Sequence, residues 1–196
     1  MAKGSQGERE TSNELSRWWS DGSRDDIFWR TAGSGGRATS RSKVGKKTKY
    51  QYGDITFTDP IGKPLLDLMV IENKRGYSDD ISVLSFVDKL DRMKDPILLR
   101  WYFKLQAEVR LSGRPNGVVI FQRNRRKKCI MMETDFFVQF EQYNGHWMKN
   151  IVEILYQEDK SFSVVGFNDF LAWCPPETIK LMVPKQANPK LIRRKG

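Results

Sequence analysis

The chain has 196 residues and a mass of 22.9 kDa, enough for one domain with a sizeable hydrophobic core. Hydrophobic residues make up 39% and aromatic residues 12%, which excludes a disordered chain, and apolar runs of only about five residues exclude a transmembrane helix, which needs roughly 20. Lys and Arg number 34 against 24 Asp and Glu, and the resulting charge of +10 favours a polyanionic partner, a class that nucleic-acid, ribosomal and membrane-surface proteins share.

The opening Met-Ala-Lys-Gly-Ser-Gln has no apolar stretch behind it, so no secretory leader is expected and the chain reads as cytoplasmic. Residues 7–19 read as a helix with Leu15, Trp18 and Trp19 as its apolar stripe and Glu8 on a compatible face. A polar turn follows, then a short strand at 27–30. Residues 31–50 are rich in Gly, Ser and Lys and read as a flexible basic loop. Residues 54–58 and 65–74 read as two strands, and Asp59-Pro-Ile-Gly-Lys-Pro64 between them as the turn of a β-hairpin. Val83, Phe86, Val87 and Leu90 predict an amphipathic helix over 82–93. A further helix starts with Asp95 as N-cap and Pro96 at its first position and ends at Gly113. Its buried stripe is Leu98, Trp101, Leu105 and Val109, with Gln106 at the margin. Strands at 118–122 and 129–132 flank a basic turn, Arg123-Asn-Arg-Arg-Lys-Lys128. From residue 135 a mixed helix and strand layer includes a strand at 162–165, a helix capped by Asn168, and a basic tail from about 185. The sum is a single α/β domain over 1–196, a central mixed β-sheet flanked by helices, with a C-terminal extension from about residue 133 whose role the sequence leaves open.

Residue types narrow the chemistry. Two cysteines, Cys129 and Cys174, cannot form a disulfide framework or a four-ligand zinc site, and read as free thiols. A single histidine, His146, leaves carboxylates and lysine as the expected catalytic groups. The tryptophans read as core or interface. Along the strand that ends at Lys74, Leu68, Val70, Glu72 and Lys74 share one face, and Met69, Ile71 and Asn73 the other. A regular hairpin would set Asp54 opposite Met69, about 10 Å short of Glu72, so a bulge, twist or other register must bring the two carboxylates together. Two carboxylates and a lysine suit metal-dependent phosphodiester hydrolysis, because Mg²⁺ takes oxygen ligands and activates water.

Gly53-Asp54, followed eighteen residues later by Glu72-Asn-Lys74, resembles the D…(E/D)-x-K motif of the PD-(D/E)XK nuclease superfamily, whose members share a restriction-endonuclease-like core. Gly53 stands where many members have proline. Residues 3–10, Lys-Gly-Ser-Gln-Gly-Glu-Arg-Glu, are similar to the opening helix of archaeal-type Holliday-junction resolvases, and residues 30–36, Arg-Thr-Ala-Gly-Ser-Gly-Gly, to their Gly-Ser segment. The resemblance covers roughly residues 3–76, then loosely to Gln122. It implies that Glu8, Asp54 and Glu72 hold Mg²⁺ (with Mn²⁺ able to substitute), that Lys74 assists the attacking water, and that Ser34 lies near the scissile phosphate. Glu14 is the competing choice for the helix-borne acid. Gln106 corresponds to a glutamine that some members place near the metal. The implied protein is a dimeric, prokaryotic or phage-encoded endonuclease acting on branched DNA. Arg37, Arg41, Lys43, Lys46, Lys47, Lys49, Arg125 and Arg126 are the expected contacts to the DNA backbone. The alternatives are a sequence- or end-directed nuclease of the same fold, a non-catalytic nucleic-acid-binding protein, and a scaffold protein.

Overall fold

Val118-Val-Ile-Phe121 is a continuous apolar run, as expected of a strand covered on both faces, and the computed structural model places it inside the sheet. The structure describes residues 3–31, 50–77, 81–82, 84–88, 90, 92, 94–156 and 160–186. Helix α1 (Lys3–Trp19) leads into strand β1 (Phe28–Arg30), which pairs antiparallel with β2 (Ile55–Phe57), Arg30 opposite Ile55. A 3₁₀ turn (Pro60–Gly62) and a short helix α2 (Lys63–Leu68) precede β3 (Met69–Tyr77). Then come α3 (Ile97–Ser112), β4 (Asn116–Arg123), β5 (Lys128–Glu133), α4 (Thr134–Asn144), β6 (Val152–Tyr156), β7 (Lys160–Gly166), α5 (Phe167–Trp173) and α6 (Pro176–Gln186).

The main sheet has the order β3-β4-β5-β7-β6. β3 and β4 run parallel, with Glu72 opposite Val119 and Lys74 opposite Phe121; the other neighbours are antiparallel. Successive strand residues feed opposite cores. Val118, Ile120, Ile130 and Met132 face α1, α2, α4, α5 and α6, whereas Val119, Phe121 and Met131 face α3. This is the mixed sheet flanked by helices that the sequence predicts, in a restriction-endonuclease-like α/β fold. Among the described residues beyond 133, β6 and β7 belong to this sheet, β7 lying between β5 and β6, and α4, α5 and α6 bring Phe137, Phe140, Phe170, Ile179 and Met182 to one core.

Four local expectations are corrected. The predicted hairpin does not form: residues 63–68 are helical, β2 pairs with β1, and β3 with β4. Pro64 sits in the first turn of α2, where a missing N–H costs nothing, so what read as a hairpin turn starts a helix. Over 82–93 the described residues hold only a 3₁₀ turn at Leu84–Phe86, and Leu84, Val87 and Leu90 are exposed. Of the predicted stripe, Phe86 packs against the core on the α3 side and Val83 lies outside the described residues; a stripe that leaves Val87 and Leu90 in solvent buries too little to sustain a helix. Pro96, not Asp95, is the N-cap of α3, and Gly166, not Asn168, that of α5; neither cap carries a side-chain bond. Of the α3 stripe, Leu98, Leu105 and Val109 are buried, Tyr102 joins them, and Trp101 is half-buried.

Candidate active site

The three groups of the motif converge at the outer edge of β3. Strand alternation sends Glu72 and Lys74 to the same face as Val70, while Ile71 and Asn73 face α1. The segment before β2 lies along the free edge of β3: the Asp54 N–H donates to the Ile71 carbonyl at 2.8 Å, and the Asn73 N–H donates to Asp54 Oδ2 at 2.8 Å. The excursion through α2 thus removes the offset a hairpin would impose. On its other side Asp54 accepts at its carbonyl from the Thr31 N–H, 2.8 Å. Lys74 Nζ bonds Glu72 Oε1 and stands 3.8 Å from Asp54 Oδ2. The Asp54 and Glu72 side chains are only 6% and 10% exposed.

Burial and the neighbouring Glu72 carboxylate push Asp54 up to about 7, against the opposing pull of Lys74 and the Asn73 N–H. Glu8 reaches this cluster from α1. Burial raises its pKa, Arg30 and Lys74 oppose the rise, and Glu72 adds to it. Arg30 Nη1 lies 3.9 Å from Glu8 Oε2. Three carboxylates therefore face two cations, leaving one excess negative charge when all are ionised. Among the described residues no three acidic, His or Cys side chains form a ligand group by themselves. The Asp54–Glu72 pair nevertheless fits Mg²⁺, which keeps several waters and needs only one or two carboxylates. Glu8 stands in the field of that pair.

α1 approaches β3 closely because residue 7 is glycine. A Cβ there would meet Arg75 Cβ and Cδ at 2.9 Å and Asn73 Nδ2 at 3.2 Å, whereas nothing lies within 4 Å of one at Gly4. Gly7→Ala is expected to lower stability by about 1–3 kcal/mol through overpacking and to displace the adjacent Glu8. Gly4→Ala should be neutral or raise stability by up to about 1 kcal/mol. Parallel thermal melts check this; equal melting shifts in the two variants would refute the close approach.

The remaining predicted residues are distributed as follows. Glu14 is bound to Lys128, away from Asp54 and Glu72, so Glu8 is the helix acid beside the motif. Gln106 and Glu133 both reach the Tyr102 hydroxyl. Arg125 and Arg126 are exposed in the β4–β5 turn, at the same end of the sheet as Lys74. Ser34, Arg37, Arg41, Lys43, Lys46, Lys47 and Lys49 lie outside the described residues. Cys129 and Cys174 are free thiols, and His146 is exposed. Trp18 and Trp19 donate from their indoles to the Cys174 and Ile61 carbonyls, while Trp147 is exposed.

Two contributors escape sequence reasoning. Arg30 reads there as the end of a strand and the first residue of the Gly-Ser segment, with no role of its own. Glu108, half-buried on α3, accepts the Gly53 N–H at 2.7 Å and so holds the turn that delivers Asp54. No spacing signal links Glu108 to Gly53, because the contact exists only once α3 packs beside β3.

Among the described residues no helix is long and apolar enough to cross a membrane. Neither a curated protein nor a solved structure matches the chain. A family model described as "Phage putative PDDEXK endonuclease" matches residues 1–181, a span that contains Glu8, Asp54, Glu72 and Lys74 and extends to α6. With the motif gathered at one strand edge and the match covering nearly the whole chain, the protein belongs to this PD-(D/E)XK endonuclease family.

Proposed function

We propose that the protein is a Mg²⁺-dependent DNA endonuclease that hydrolyses phosphodiester bonds in branched DNA such as four-way junctions. The observation that carries the nuclease reading is the buried Asp54–Glu72 pair bridged by Lys74 at the open edge of β3. Asp54 and Glu72 hold the cation, and Glu8 supplies a third negative charge from α1. A bound divalent ion supplies Lewis-acid polarisation of the phosphate and a water of lowered pKa. Lys74 orients the attacking water and offsets the negative charge that builds on phosphorus, and Arg30 adds a second positive charge on the Glu8 side. Arg125 and Arg126, with the basic residues of segment 37–49, grip the DNA backbone, consistent with the net charge of +10. The preference for branched DNA and a homodimeric state rest on the likeness of residues 3–10 and 30–36 to the junction resolvases.

The test is cleavage of a labelled four-way junction beside matched linear duplex, with and without Mg²⁺, by the wild type and Lys74→Ala. Junction cleavage that requires Mg²⁺ and falls about 10²–10³-fold in Lys74→Ala is expected. Equal cleavage of both substrates removes the branched-DNA preference and keeps the nuclease. Tight binding without cleavage under any divalent ion refutes catalysis.

A further inference from the structure

A buried polar chain runs beneath the catalytic strand. Thr11 Oγ1 donates to Asn73 Oδ1 at 2.8 Å and accepts from Lys128 Nζ at 2.9 Å. Thr11 is 0% and Asn73 7% exposed, the Lys128 side chain is 9% exposed, and Lys128 also bonds Glu14. Lys128 belongs by sequence to the basic turn, yet it points inward, its ammonium 5.2 Å from the Phe167 ring centre.

Burying an ammonium is expensive, and apolar side chains of similar volume often pack at least as stably. What a fully satisfied polar chain adds is one defined arrangement. Here it joins three elements at the residue between Glu72 and Lys74. Asn73 is the only link of the chain on β3, and its own N–H holds Asp54 Oδ2. Thr11 is three residues from Glu8 on α1, so the two share a face. Fixing Thr11 against Asn73 therefore fixes how far Glu8 projects toward Glu72 and Lys74, and steadies the peptide that orients Asp54.

We propose that Thr11 and Lys128 are positioning residues that hold α1 in register with β3 and so set the geometry of the Asp54, Glu72 and Glu8 carboxylates for a divalent cation. The inference rests on the nuclease reading above. It is tested on the full chain with Thr11→Val, which removes the hydroxyl at constant shape, and Thr11→Ser, which restores it. Binding of Mn²⁺ to the DNA-free protein is followed by loss of the free-ion electron paramagnetic resonance signal, and kcat and KM are measured separately for DNA cleavage. Thr11→Val is expected to bind Mn²⁺ about tenfold or more weakly and to lose a similar factor in kcat at unchanged KM. Thr11→Ser is expected to recover both.

Wild-type Mn²⁺ affinity and kcat in folded Thr11→Val overturn the inference. So does equal impairment of the two variants, which would make Thr11 a packing residue. Should Thr11→Val not fold, Lys128→Met decides in the same way, since the Glu14 it leaves is 41% exposed. A wild type that binds no Mn²⁺ brings down the nuclease reading itself, which is a different result from a wild type that binds and a variant that binds equally.

Discussion

Asp54→Asn is expected to stabilise the metal-free protein at pH 8 while abolishing its cleavage. The folded-state pKa of Asp54 is about 7, above the usual aspartate value of about 3.9 in an unfolded chain. The native state therefore binds this proton more tightly than the unfolded state. Between about pH 4 and pH 7 stability falls as pH rises, and above pH 7 the full penalty of an ionised Asp54 is present. Asparagine has no charge to bury and still offers an oxygen to the Asn73 N–H. The gain should be a few kcal/mol at most at pH 8 and should vanish near pH 4. Cleavage should fall by about 10³-fold, because half of the carboxylate pair is gone. Added Mg²⁺ should raise the melting temperature of the wild type and leave that of Asp54→Asn unchanged. Melts at pH 4.5 and 8, with and without Mg²⁺, check the stability and metal-binding parts, and cleavage of labelled DNA at pH 8 checks the third. A variant that is less stable than the wild type at pH 8 and still cuts DNA would show that Asp54 is an ordinary structural acid.

This opposition between stability and activity explains which parts of the site are legible from sequence. Glu72 and Lys74 are two apart on one strand, so alternation alone puts them on one face, and the structure keeps them there. Asp54 needed a pairing, and the pairing expected was wrong. Leu65 to Ile71, interrupted only by Asp67, is a nearly continuous apolar segment, and no periodicity separates a buried strand from a buried helix followed by a strand. The true arrangement depends on β4 taking the inner edge of β3, which leaves the outer edge to Asp54. Glu8 is legible from sequence only through the resemblance, with Glu14 competing for the same role on a helix that also carries Glu10. The choice among them is made by partners distant in sequence: Arg75 takes Glu10, Lys128 takes Glu14, and Arg30 stands by Glu8. The part of the chain that the resemblance leaves unexplained is legible as elements but not as purpose. Phe136, Phe137 and Phe140 mark a buried helix face, yet only the sheet order shows that β7 must be present for β5 to have a second neighbour.

The turn that seats Asp54 carries the largest single-residue effect expected outside the carboxylates. Gly53→Pro would restore the proline that many members of the superfamily have before the aspartate, and here it is expected to be severely destabilising. Gly53 has φ of 75°, whereas proline is locked near −65°. A Cβ at this position would lie 2.5 Å from the Ile71 carbonyl oxygen and 2.8 Å from Val70 Cγ1, so the obstacle includes backbone that cannot swing away. Proline would also remove the N–H that Glu108 accepts at 2.7 Å and leave a half-buried carboxylate without that donor. Three comparisons separate these contributions. Gly22→Ala, at φ of 81° with nothing within 4 Å, carries only the left-handed penalty, about 1–2 kcal/mol. Gly53→Ala adds the clash, and Gly53→Pro adds the lost hydrogen bond, so the three should rank in that order, with the last above about 3 kcal/mol. Urea denaturation of the three variants measures the ranking. Cleavage should be lost in both Gly53 variants, because the displaced turn carries Asp54 with it. A Gly53→Pro protein with the wild-type midpoint would mean that the chain can enter the site as the proline-bearing members do. Its failure to fold would mean that glycine and Glu108 together replace the proline as the device that presents the aspartate to the strand edge.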